Sequence, residues 1–100
     1  MNKFNRKNLN TKLKGVKIFT GSNFKDKRGI LWTSWNKLKL NKINFNHDKF
    51  SLSKKNVFRG LHYDNKTWKL ISCVYGKIFF VVVNLDKKSN QYMKFQTFRL

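Results

Sequence analysis

The stretch from Lys69 to Leu85 constrains the fold of this chain more than any other. Two apolar runs, Lys69 to Val74 and Ile78 to Leu85, flank Tyr75-Gly76-Lys77. Runs dense in β-branched and aromatic residues suit strands, and a short connection containing Gly suits a tight hairpin. The spacing predicts that these two runs pair with each other. The rest of the chain continues in the same idiom. Val16, Ile18 and Phe19 form a short β-prone run that ends in Thr20-Gly21-Ser22-Asn23, a turn composition. Ile30 to Trp35 follows a turn over Asp26 to Gly29. Val57-Phe58 leads into Arg59-Gly60-Leu61-His62-Tyr63, and Tyr92 to Leu100 alternates as a last strand. Asn36 to Phe45, with alternating Lys and Leu at 37 to 40, fits either a strand or a short helical turn. No window supports a long amphipathic helix and no repeat is present. Short strands with turns about every 8–12 residues point to an all-β sandwich or barrel. The final run, Met93 to Leu100, is followed by no further strand. The expectation is therefore an edge completed by a second chain, or a piece of something longer.

The chain has 100 residues, enough for one small domain or for half of a larger one. Residues 1–14 are polar and basic and read as a solvated lead-in, with the domain proper over 15–100. The basic start precedes no apolar segment, so it does not resemble a secretory signal. The longest apolar stretch, Ile78 to Val83, falls far short of the roughly 20 residues that cross a bilayer. A single cysteine, Cys73, leaves no internal disulfide and suits a reducing compartment. A cytoplasmic protein without a membrane partner is the expectation.

A formal charge of +19 raises the question of a polyanion partner. Nineteen of the 23 basic residues are Lys and four are Arg, the side chain that grips phosphate and guanine with two parallel bonds. The Lys are scattered along the chain. Thirteen Asn accompany them, with no Ala, Glu or Pro. Codons for Lys, Asn, Ile and Phe are A/T-rich, so nucleotide bias accounts for much of the basicity. A small basic nucleic-acid-binding β domain, with Trp and Phe as stacking platforms, is the rival reading. Against it, the aromatics fall in strand-like runs where packing is the simpler role.

Two His, one Cys and four Asp form a sparse chemical inventory. His62 and Asp64 lack convincing third and fourth metal ligands, so no metal is expected. Cys73 sits in an apolar run and reads as an inert thiol. The informative stretch is Arg59-Gly60-Leu61-His62-Tyr63-Asp64 followed by Lys69-Leu70. If Gly60 allows a kink, His62 and Lys69 can meet across neighbouring strands. A neutral imidazole beside an ammonium is a workable proton-abstraction site, because nearby positive charge keeps the imidazole basic at neutral pH.

Several ordered landmarks carry a resemblance. They are Phe24-Lys25-Asp26-Lys27-Arg28-Gly29, Ser51-Leu52-Ser53, Arg59-Gly60-Leu61-His62-Tyr63, Lys69-Leu70, Gly76, and Ser89 through Lys94-Phe95. In these the chain, from about Leu13 to Leu100, resembles the dTDP-4-dehydrorhamnose 3,5-epimerase family of nucleotide-sugar epimerases. It is most similar to a branch that includes epimerases of GDP-linked 6-deoxy-4-keto-heptoses, with a similar His47-Asp48-Lys49-Phe50 and a similar run from Asp64 to Gly76. The resemblance implies a cupin-like jelly roll (here its N-terminal part), no cofactor, a homodimer, and a dTDP- or GDP-linked 4-keto-6-deoxy sugar inverted at C3, C5 or both. By position, His62 matches the base that removes the proton next to the ketone, and Lys69 the residue that stabilises the enolate oxygen. Arg28 and Arg59 match cations that hold the nucleotide diphosphate and sugar. Phe24 matches a residue near the sugar or base, and His47, Asp48 and Lys49 match a substrate-contacting stretch.

The chain also departs from the family. His47 and Lys49 replace the usual Gln and Asn around Asp48, and Thr33 replaces a substrate-contacting Glu. Phe80, Asn84 and Asp86 replace a frequent Asp, Asp and Arg. The family's general-acid Tyr and the Asp that orients the His lie beyond the position of Leu100, and Tyr63, Tyr75 and Tyr92 match neither. The expectation is a chain carrying the base half of an epimerase site, with the C-terminal half missing and little activity alone; the alternative is an inactive nucleotide-sugar binder that keeps Arg28 and Arg59 but not turnover.

Overall fold

Turn chemistry sets the first hairpin. In the computed structural model, which describes residues 11–19, 23–36 and 43–100, strands β1 (Asn23–Asp26) and β2 (Gly29–Trp32) run antiparallel. Asp26 lies opposite Gly29 and Asn23 opposite Trp32, so Lys27 and Arg28 are the two loop residues. The Asp26 carboxylate closes the loop by accepting the Arg28 backbone N–H at 2.8 Å. Gly29 follows with a φ of 139°, a conformation open to glycine and strained for other residues.

The second hairpin joins residues far apart in sequence. Strand β3 (Phe79–Val83) pairs antiparallel with β4 (Phe95–Arg99), with Phe79 opposite Arg99 and Val83 opposite Phe95. Ile78 and Leu100 extend the ladder with two reciprocal backbone bonds of 3.0 Å. At the other end the Asn84 N–H donates to the Lys94 carbonyl at 2.9 Å, and the Met93 N–H donates to the Asn84 carbonyl at 2.7 Å. Along β4 the exposed and half-buried positions alternate, as a strand with one covered face requires. Phe80 and Phe98 are half-buried and directly opposed, a cross-strand aromatic pair.

A short N-terminal segment is fastened to this hairpin by amide side chains. The Lys12 N–H donates to Gln96 Oε1 and the Lys14 N–H to Gln91 Oε1, both at 2.8 Å, while Gln91 Nε2 donates to the Lys12 carbonyl at 2.7 Å. Leu13, between the two lysines, is 4% exposed and is the one buried hydrophobic side chain among the described residues. Phe50, Leu52, Phe58 and Tyr75 are each at least 80% exposed.

All described secondary structure is strand, so the all-β expectation stands. Several local expectations do not. Lys69 to Val74 forms no strand and does not pair with Ile78 to Leu85: β3 takes β4 as its partner instead. The chain still turns at Gly76, whose φ is 77°. The last run is thus a strand paired on one side with β3, and its other edge has no partner strand among the described residues. Val16 to Phe19 and Val57 to Tyr63 also lie outside any ladder. An extended run becomes a strand only when a partner takes up its N–H and C=O groups. Of the lead-in expected as solvated over 1–14, residues 11–14 are described, and there Leu13 is buried and Lys12 and Lys14 are bonded to Gln96 and Gln91; its residues 1–10, the turn residues 20–22 and the alternating stretch at 37–40 lie outside the described residues.

The chain divides into two units, Met1–Trp35 with Ser72–Leu100, and Asn36–Ile71. Both hairpins belong to the first. Among the described residues no helix is long and apolar enough to cross a membrane.

Candidate functional site

The β1–β2 hairpin brings two of the expected binding residues together. Phe24 on β1 and Arg28 in the loop line one open groove of about 370 Å³, with Asp26, Gly29, Ile30 and Leu31. Arg28 is held there by Asp26: its Nε and Nη2 both donate to Oδ2, at 3.1 and 2.7 Å. Those bonds, with the backbone bond from Arg28, hold the Asp26 carboxyl below its usual range. The groove thus sets an aromatic face and apolar walls beside a guanidinium already paired with a carboxylate.

The remaining expected residues belong to the unit spanning Asn36–Ile71. His47, Asp48 and Lys49 lie exposed outside any strand, with no hydrogen bond or ion pair among the described residues. Arg59 is anchored by one bond, its Nε donating to Ser53 Oγ at 2.8 Å. Its terminal nitrogens carry no bond to a described residue and stay available for an anion. Gly60 has a φ of 131°, and a Cβ built on it would lie 3.7 Å from the His62 nitrogen and 3.9 Å from its Cδ2. A backbone that only glycine adopts with ease therefore precedes the imidazole. His62 itself is exposed and has no hydrogen-bond partner among the described residues.

Lys69 is paired, and its described partner is not His62. Its Nζ donates to Asp64 Oδ2 at 2.7 Å. Asp64 closes a local turn in which Oδ1 accepts the backbone N–H of Lys66 at 3.0 Å and of Thr67 at 2.8 Å. The Thr67 hydroxyl lies 2.8 Å from both carboxylate oxygens. These contacts, the Lys69 ammonium first among them, hold the Asp64 carboxyl far below its usual range. Residue patterns alone missed three partners: Asp26 for Arg28, Ser53 for Arg59 and Asp64 for Lys69. The Asp-x-x-Thr spacing is a turn signature that would have located the third. Two departures from the family pattern have local explanations. Phe80 packs opposite Phe98. Asp86 caps a turn, its Oδ1 accepting the Lys88 N–H at 2.9 Å. No three potential metal-ligating side chains converge among the described residues.

With imidazole, ammonium and guanidinium groups on loops and a hairpin tip, the described residues have the layout of β-scaffolds whose loops carry the chemistry. Comparison with known proteins makes the class particular. Residues 10–100 match the family described as dTDP-4-dehydrorhamnose 3,5-epimerase, a cupin-type fold, and the chain belongs to that family. It is similar to a protein of Salmonella typhimurium named dTDP-4-dehydrorhamnose 3,5-epimerase, with 36% identity over 81% of this chain and 49% of the relative. Proteins of the same name from Shigella flexneri and Escherichia coli are 35% and 32% identical, each over 86% of this chain and 52% and 51% of the relative. The chain spans about half the length of the curated relatives it matches. No solved structure matches it significantly.

Proposed function

We propose that this chain supplies the base-bearing part of a cofactor-independent nucleotide-sugar epimerase site, acting in the cytoplasm on a dTDP- or GDP-linked 4-keto-6-deoxy sugar. The ketone makes the neighbouring C–H acidic by delocalising charge onto oxygen, so a base and a cation suffice for deprotonation. His62 removes the proton at C3 or C5. Lys69 meets the enolate oxygen. Arg59 holds the diphosphate or sugar, with His47, Asp48 and Lys49 on the sugar, while Phe24 and Arg28 take the nucleotide end. The observation that carries this reading is the family match over residues 10–100. The groove beside Phe24 and the fixed Lys69 support it. Inversion also needs an acid on the opposite face, and we assign that to the part of the family domain outside these 100 residues, within a homodimer. We assign the basic lead-in of residues 1–14 no part in the chemistry.

The test is an NMR titration and solvent-exchange assay with a dTDP-linked 4-keto-6-deoxy sugar in deuterated buffer. The expected result is saturable shifts at Arg28, Arg59 and Lys69, slow deuterium gain at the carbon flanking the ketone, and little inversion. Absence of binding overturns the substrate reading. Rapid inversion by the 100 residues alone overturns the assignment of the acid elsewhere.

A further inference from the structure

An exposed lysine serves as an electrostatic stabiliser only when its head group is held in place. Stabilising a developing charge requires a donor already in place when the charge forms. A lysine ammonium rides on a flexible four-carbon stem with about 2 kcal/mol of rotamer entropy. Lys69 has a roughly half-exposed side chain, so packing does not fix its head. Resting on the proposed function for what Lys69 does, we propose that Asp64 is its positioning residue, holding the ammonium ready for the enolate oxygen.

Two features separate this arrangement from an ordinary surface ion pair. The first is that the carboxylate is itself immobilised. Two backbone N–H groups and the Thr67 hydroxyl hold Oδ1 and fix the plane of the group. The second is a division of labour between the oxygens. Closing the turn uses Oδ1, whereas Oδ2 takes Lys69 Nζ at 2.7 Å, with the Thr67 hydroxyl bracing it from 2.8 Å. A turn-forming Asp has no need of the second contact. An exposed pair of this kind adds little to stability, so its consequence lies in where the ammonium sits. Lys66, inside the same turn, lends its backbone N–H and makes no described side-chain bond, which makes it an internal control.

The test combines amine labelling with the exchange assay, using Asp64→Asn and Asp64→Glu in the full chain. Asn keeps an oxygen for the turn and removes the charge, while Glu keeps the charge on a longer arm. Acetic anhydride in limiting amount, read by peptide mass spectrometry, reports each lysine's reactivity. The expected result is that Asp64→Asn raises Lys69 labelling at least about threefold relative to Lys66 and Lys77, and Asp64→Glu restores part of the protection. Unchanged relative labelling of Lys69 overturns the tie. In the exchange assay, Asp64→Asn is expected to lower the maximal deuterium wash-in rate about tenfold while shifting the half-saturating sugar concentration less than twofold. A changed labelling with an unchanged maximal rate overturns the positioning role. Failure of the wild-type chain to bind or exchange counts against the proposed function, and the labelling ratio still decides whether Asp64 holds Lys69.

Discussion

The β3–β4 hairpin and the segment from 43 to 71 are ordered by different means. In the hairpin, backbone pairs with backbone along five-residue strands, and the ladder continues through Ile78–Leu100 at one end and Asn84–Met93 at the other. The segment 43–71 contains no strand, and apart from one backbone turn bond, Val57 N–H to the Lys54 carbonyl, its described bonds join side chains to nearby groups: Asp64 with Lys66, Thr67 and Lys69, and Arg59 with Ser53. Six of the eight expected site residues lie in that second region. Strand pairing builds the scaffold, and locally fastened loops carry most of the expected site residues, a distribution common in proteins. In those loops side-chain bonds such as those of Asp64 stand where the hairpin has sheet bonding.

This contrast is sharpened most by removing the base. His62→Ala should bring deuterium wash-in to the buffer rate, a loss of at least about 100-fold where catalysis is measurable. Backbone spectra of β3 and β4 should not change. Persistent wash-in at the wild-type rate would place the base elsewhere. The matching change in the scaffold is Leu13→Ala. Losing a buried leucine costs about 2–5 kcal/mol, and here it should release the segment clamped by Gln91 and Gln96. Hydrogen exchange is the readout: the Lys12 and Lys14 amides should lose protection, with the Lys66 and Thr67 amides unaffected. Protected Lys12 and Lys14 amides in the variant would show that the glutamine bonds suffice without Leu13.

Sequence reasoning read the two regions unequally, and the reason is distance along the chain. The Asp26 to Gly29 turn was legible because four consecutive residues determine it. The strand at β3 was legible from its six-residue apolar run. Its partner was not, because Tyr75-Gly76-Lys77 offered a nearby pairing and nothing local announces that Phe95–Arg99 takes the edge instead. For the site, residue types suggested an imidazole and an ammonium, and only the family resemblance gave His62 and Lys69 roles. Ser53 and Asp64 stood among the landmarks of that resemblance without a role, since what they do is hold other side chains.

A subtler break falls at Gly60. Any side chain there must adopt a φ of 131°, a strain of roughly 1–3 kcal/mol, although the space is open to ordinary contact distances. Gly60→Ala should therefore shift the His62 ring and amide resonances and lower wash-in severalfold, with substrate affinity retained through Arg28. Unmoved His62 signals would mean that the glycine does not shape the backbone before the imidazole.

The smallest expected effect concerns acid. A carboxyl whose value is lowered by folding contributes stability that is fully present above its ordinary value of 3.8 and is lost only as pH falls through the lowered one. Asp64 lies far below its usual range, so its turn and its hold on Lys69 should survive from pH 7 down to about pH 3. The amide shifts of Lys66 and Thr67 are the direct reporters and should stay constant across that interval. A titration of those amides centred near pH 4 would show an Asp64 with no special hold on its neighbours. Lys69 would then have the freedom of any surface lysine, and the difference between the two regions would narrow to strand against coil.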